Sequence, residues 1–195
     1  MTPHPESARI LRAAERVGQL SIPWSGTGYR SASPRYANGD DLMSGVGSMK
    51  AGARWNAPSS FPAVYCSLDP HTALDEVLSH YRFFGIPIET AMPRVIVSIR
   101  IQLHRILDLT RGKTRSALHV SEERMMDATW RAEQKAGKEA LTQSLGRILH
   151  DLGWEGVLVP SAARKGGVNL VIFRDNQDPT STLEIINLDQ LPRLA

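Results

Sequence analysis

Four short blocks of this chain carry residue types that grip anions and answer developing charge. Gly28-Tyr29-Arg30 comes first, and Gly52-Ala53-Arg54-Trp55-Asn56 second. Val64-Tyr65-Cys66-Ser67 then runs into Ala73-Leu74-Asp75-Glu76. Far downstream, Val157-Leu158-Val159-Pro160-Ser161 is followed by Gly167-Val168-Asn169-Leu170. A guanidinium is a permanently charged fork, so Arg30 and Arg54 read as clamps for a phosphate or a ribose. A fixed carboxylate such as Glu76 stabilises positive charge that grows in a transition state. Tyr65 offers an aromatic face and a hydroxyl. Ser161, at a strand end, and Asn169, just after a Gly pair, are hydrogen-bonding residues.

Each of these also has a plainer reading. Arg30 suits a strand-edge surface position, and Tyr65 an ordinary strand aromatic. A helical wheel sets Glu76 away from Leu74, Val77 and Leu78, which describes a solvent-facing glutamate as well as one lining a cleft. Asp75 is its immediate competitor. Ser161 has no Gly-x-Ser-x-Gly elbow around it and no histidine partner in view, so it is not read as a nucleophile. Cys66 lies in an apolar run and reads as a small buried hydrophobe. Trp55 reads as core. The histidines, His4, His71, His80, His104, His119 and His150, lack metal-ligand spacing, and no metal is expected. Gly45-Val46-Gly47 and Gly166-Gly167 lack the strand-turn-helix setting of a dinucleotide fingerprint.

The elements that must position these residues follow from periodicity. Residues 6–20 repeat apolar positions at helical spacing and end at Ser21-Ile22-Pro23. The stretch 24–62 is rich in Gly, Ser, Pro and Asn and reads as a long binding loop. Residues 63–67 make a short buried strand, and Asp69-Pro70 caps the helix that follows. Residues 94–103 alternate strictly and predict a strand. Residues 118–136 predict a polar helix, and 139–152 an amphipathic one closed by Gly153. Residues 156–160 and 168–173 form two apolar strands joined through Arg164-Lys165-Gly166-Gly167, and 183–188 a last strand. Strands and helices segregate more than they alternate, which predicts an α+β fold.

Bulk properties exclude several classes. The 195 residues suffice for one domain with a real core. Net charge is +3, with Lys and Arg scattered along the chain, which argues against a nucleic-acid stripe and leaves a mild attraction for anions. One cysteine allows no internal disulfide. Neither a signal peptide nor a membrane span is expected, and the cytoplasm is the expected compartment.

The ordered set of Arg, Arg, Tyr, Glu and Ser blocks resembles the RES family over about residues 27 to 190. Residues 1–21 would then be a helical extension and 22–195 the catalytic domain. The resemblance implies an ADP-ribosyltransferase-like fold with two small sheets around an NAD cleft. It implies the toxin half of a bacterial toxin–antitoxin pair that cleaves NAD+ at the nicotinamide–ribose bond, by hydrolysis or phosphorolysis, with NAD+ as substrate and no cofactor. Arg30, Tyr65 and Glu76 would be catalytic, with Arg30, Arg54, Tyr65, Ser161 and Asn169 binding NAD. The block around Arg54 departs from the family pattern, which has a second glycine where Ala53 stands. The implied partner is a helix-turn-helix (Xre-type) antitoxin, and a homodimer within a hetero-oligomeric complex is expected, without direct contact to nucleic acid or membrane. The alternatives are a mono-ADP-ribosyltransferase with a protein target and a non-enzymatic basic binding module.

Overall fold

Strand pairing decides where the candidate residues fall. The computed structural model describes residues 1–127 and 129–192. The strands are β1 (Ser21–Ala32), β2 (Ala63–Ser67), β3 (Val95–Asp108), β4 (Gly156–Pro160), β5 (Val168–Phe173) and β6 (Thr182–Ile185). Helix α1 (Ser7–Ala14) precedes them, α2 (Gly39–Met43) and α3 (Val46–Ala51) lie between β1 and β2, and α4 (Pro70–Phe83) follows β2. Between β3 and β4 come α5 (Gly112–Ala117), α6 (Glu122–Met126), α7 (Trp130–Lys135) and α8 (Leu141–Asp151). The chain is α+β, as its pattern predicts.

The expected two small sheets form as two halves stitched into one. β3 pairs antiparallel with β1 from Ser21 opposite Leu107 to Ala32 opposite Val95, and with β6 on its other edge. β2, β5 and β4 form the second antiparallel half. Two short seams join the halves: Tyr29 beside Ser67, and Ile106–Asp108 running parallel to Gly156–Leu158. The resulting six-stranded sheet closes on itself through β1 and β3.

Alternation along the strands then divides the interior in two. Val64, Cys66, Leu170, Ile172, Leu158, Val97, Ile99, Ile101 and Leu103 fill one side with Leu42. Ala63, Val157, Val159, Val171 and Phe173 face the other way, where Leu145, Ile148 and Leu149 of α8 and Ile10, Ala13 and Ala14 of α1 cover them. Residues 1–21 therefore share a core with the rest of the chain. The amphipathic α8 runs as its periodicity predicts, and Gly146 is its tight point: a Cβ there would stand 1.8 Å from the Trp55 carbonyl oxygen.

Three elements differ from expectation. The first helix stops at Ala14, and the chain turns through Gly18–Leu20 into β1. The Gly- and Ser-rich start of the expected loop is in fact the long strand β1, because β3 supplies its hydrogen-bond partners. Gly28 is required there, since a Cβ would lie 2.6 Å from Ile101 Cδ1 and 2.9 Å from Cys66 Cβ. The polar 118–136 segment breaks into α6 and α7, and Met125 of α6 is fully buried.

Candidate active site

Helix α4 begins where Asp69 caps it, its carboxylate accepting from Thr72 N–H at 2.9 Å, with Pro70 in the first turn. This fixes the helix against the end of β2 and sets the half-buried Glu76 over the ends of β2, β4 and β5. Glu76 Oε1 accepts from Ser161 Oγ at 2.6 Å and from Asn169 Nδ2 at 2.6 Å. Asn169 is aligned in turn, because its Oδ1 accepts from Ser67 Oγ at 2.7 Å. Ser67 and Asn169 are register partners across β2 and β5, and Ser161 follows β4, so sheet pairing sets all three distances. Ser161 Oγ also accepts from the N–H groups of Ala163 and Arg164 at 3.1 Å each. That leaves its hydroxyl proton directed at Glu76. Oε2 of Glu76 takes no protein donor among the described residues. The neighbouring Asp75 instead pairs with Arg164 at 2.8 Å, which takes it out of the competition.

Tyr65 points to the same side of the sheet as Ser67, by strand alternation. Its hydroxyl donates to Asn56 Oδ1 at 2.7 Å and accepts from Trp55 N–H at 3.1 Å. Asn56 is buried and donates to the carbonyls of Ser48 and Phe61. The Tyr65 hydroxyl is therefore the anchor of the loop that carries Arg54. Only its ring remains to meet a ligand. Burial raises the Tyr65 phenol well above its ordinary range, outweighing the Trp55 N–H bond and the nearby Arg54. It stays protonated near neutrality, and its proton is directed at Asn56.

Arg54 donates through Nη1 to the carbonyls of Met125 and Asp127, both at 3.0 Å, which ties its loop to α6. Burial lowers its pKa from the ordinary value, the Glu76 carboxylate opposing the shift and the Arg131 cation adding to it. Trp55 is core at 2 % exposure.

Arg30 stands apart. Its Nη1 donates to the Leu42 carbonyl at 2.6 Å, and no hydrogen bond or ion pair joins it to Glu76 among the described residues. Alternation puts it on the Cys66 side of the sheet, opposite to Tyr65 and Ser67. Burial lowers its pKa, with Cys66 opposing the shift. The Cys66 thiol is itself pushed up to about 11 by burial, so it is a buried hydrophobe and not a nucleophile. The structure thus unites Glu76 with Ser161 and Asn169, sets Arg54 and Tyr65 beside them, and leaves Arg30 on another face.

Three contributors went unassigned in the sequence reading. Ser67 and Asn56 lay inside the quoted blocks but had no role. Arg131, on α7, lay in a segment with no motif. A hollow of about 160 Å³ lies away from these residues, lined by Gln19, Ser21, Asp108, Arg111 and Lys113.

Residues 27–193 match the model of the RES domain, and the chain belongs to the RES family. It is 30 % identical over 154 residues to the NAD(+) phosphorylase MbcT of Mycobacterium tuberculosis, an alignment covering 78 % of this chain and 74 % of that protein. The MbcT of Mycobacterium bovis gives the same figures. In fold, the chain resembles a component of the crystal structure of the M. tuberculosis MbcT–MbcA toxin–antitoxin complex, with a TM-score of 0.69 at 23 % identity over 94 % of this chain and 97 % of the other. Among the described residues, no helix is long and apolar enough to cross a membrane.

Proposed function

We propose that this chain is a toxin that destroys NAD+ by breaking the bond between nicotinamide and ribose, with inorganic phosphate as the acceptor. The observation that carries the reading is the Glu76 carboxylate, fixed through one oxygen by Ser161 and Asn169 and open at the other, with Arg54 and the Tyr65 ring nearby. The name of the MbcT relatives, NAD(+) phosphorylase, supports phosphate as the acceptor.

The chemistry follows from charge. As the bond between the ribose anomeric carbon and the nicotinamide nitrogen stretches, its electron pair withdraws onto the ring nitrogen and cancels the pyridinium charge. Nicotinamide leaves neutral and needs no acid. Positive charge develops on the ribose, where the preorganised Glu76 Oε2 stabilises it. A phosphate oxygen then forms the new bond to the same carbon and gives ADP-ribose 1-phosphate. The guanidinium of Arg54 is suited to the phosphate groups. The Tyr65 ring supplies a face for the flat nicotinamide.

In this reading the protein acts in the cytoplasm as a homodimer, held in check by a helix-turn-helix antitoxin. The test is nicotinamide release from NAD+ by the purified chain with and without inorganic phosphate. Phosphate-dependent release is the expected result. Release without phosphate assigns hydrolysis, and ADP-ribose found on a protein assigns transfer. No loss of NAD+ in any arm refutes the reading.

A further inference from the structure

Arg131 is a cation with no counter-ion among the described residues. No ion pair and no hydrogen bond of its side chain is found among the described residues, whereas the nearby Arg124 is paired with Glu6 and Arg115 with Glu122. Its guanidinium carbon instead lies over two aromatic rings, 4.3 Å from the Trp130 centroid and 4.7 Å from that of Phe83. Such stacking orients a guanidinium without using its N–H donors, which stay available to a ligand.

Its place in the fold is informative. Phe83 lies seven residues after Glu76 on α4, two turns along the same face and about 10 Å away at 1.5 Å per residue. Arg131 therefore sits over the face of α4 that carries Glu76. The α7 helix bearing it is held to the Arg54 loop: Gln134 Nε2 donates to the Ala51 carbonyl at 3.0 Å. Gln143 Nε2 bridges the Ala53 carbonyl at 3.0 Å and Gln134 Oε1 at 2.8 Å. Burial lowers the pKa of each arginine while the Glu76 carboxylate opposes the shift in both, and the Arg131 charge adds to the shift of Arg54. Neither arginine forms an ion pair among the described residues, and one carboxylate at Glu76 leaves two partly buried cations with charge that a multivalent anion would neutralise.

We propose that Arg131 is a further substrate-binding residue of this site: together with Arg54 it receives a phosphate group, brought over Glu76 by α7. This rests on the NAD+-cleaving reading above. The shared ligand chemistry is the phosphate oxyanion, which either the diphosphate of NAD+ or inorganic phosphate can supply. Arg131 does no bond-making; its donors hold the anion while the ribose bond breaks beside Glu76.

The test compares the wild type with Arg131→Ala and Arg131→Lys, first checked for an unchanged melting temperature. Initial rates are measured while NAD+ and phosphate are varied independently. The proposal expects Arg131→Ala to raise one KM by tenfold or more with kcat changed less than threefold. It expects Arg131→Lys to recover only part of the loss, because a lysine neither stacks flat nor presents a fork. A shift confined to the KM for NAD+ assigns the diphosphate, and a shift confined to phosphate assigns the co-substrate. Both KM values within twofold of the wild type overturn it. Should the wild type leave NAD+ intact, the functional reading has failed, and calorimetry with inorganic pyrophosphate then tests Arg131 alone. Tenfold weaker binding by Arg131→Ala supports the anion seat, and equal binding overturns it.

Discussion

Glu76 and the pair Arg54–Arg131 face the same space but are held by different means. Glu76 rests on three strands. Ser67, Asn169 and Ser161 are placed by β2–β5 and β4–β5 pairing, and every bond in the chain from Ser67 to Glu76 is 2.6 or 2.7 Å. Arg54 and Arg131 belong to a cover made of a loop and two helices of five and six residues. That cover is tied down by side-chain hydrogen bonds from Arg54, Gln134 and Gln143 and by surface ion pairs of Arg124 with Glu6 and Arg115 with Glu122, while Arg131 itself, among the described residues, is held by ring stacking. Helices this short have no stability of their own. The group that must meet a short-lived charge is preorganised, while the groups that must admit and release a large anion sit on the part that can yield.

The contrast can be broken from the cover side first. Gly146→Ala would drive a Cβ into the Trp55 carbonyl 1.8 Å away and push the Arg54 loop off α8. Relief needs backbone movement, so we expect a loss of about 3 kcal/mol or an unfolded chain, read by urea denaturation. Next comes the seat. Asn169→Ala removes one charge-assisted donor from Glu76, a contribution of about 1.5–3 kcal/mol. Since that bond matters as charge develops, kcat should fall about 10- to 100-fold with KM for NAD+ nearly unchanged.

Tyr65→Phe sharpens the distinction between seat and cover. It keeps the ring and deletes the hydroxyl that joins Asn56 and Trp55 N–H, leaving a buried acceptor without its donor. The cost should be about 1–3 kcal/mol of stability. The expected kinetic signature is a raised KM from a loosened Arg54 loop. A collapse of kcat with normal stability would instead make the hydroxyl part of the chemistry.

The smallest effect concerns the cap of α4. Hydrogen bonds from Thr72, chiefly its side chain, hold the Asp69 carboxyl below its ordinary 3.8. A depressed folded-state pKa stabilises above the unfolded value and ceases to do so as pH falls through the folded one. Asp69→Ala should therefore cost about 1 kcal/mol at neutral pH. Its melting temperature should converge on that of the wild type as pH drops below 3.8.

Much of the seat was legible in the sequence, because short apolar strands and a capped helix announce themselves by period and punctuation. Residues 63–67, 156–160 and 168–173 form strands at the expected bounds, and Asp69-Pro70 opens α4 as its chemistry requires. Strand β1 was illegible because Gly28 is demanded by Ile101 and Cys66 across the fold, which local propensity does not register. The role of Arg131 was hidden for a similar reason: only the packing of α7 over α4 brings Trp130-Arg131 to Phe83. Tyr65 is legible as an aromatic face and a hydroxyl, and only the fold shows that the hydroxyl is spent as a loop anchor. Arg30 follows Gly28-Tyr29 in the block that opens the family resemblance, yet alternation along β1 turns it toward Cys66 and Leu42.

The most direct measurement is the rate of nicotinamide release from NAD+ in the presence of phosphate by the wild type and by Glu76→Gln. The substitution keeps the shape of the seat and removes the charge that faces the ribose. A loss of about 10²- to 10³-fold in kcat, with an unchanged melting temperature and an unchanged KM for phosphate, is the predicted result. Release by Glu76→Gln at the wild-type rate would contradict the assignment of Glu76 as the group that meets the developing charge.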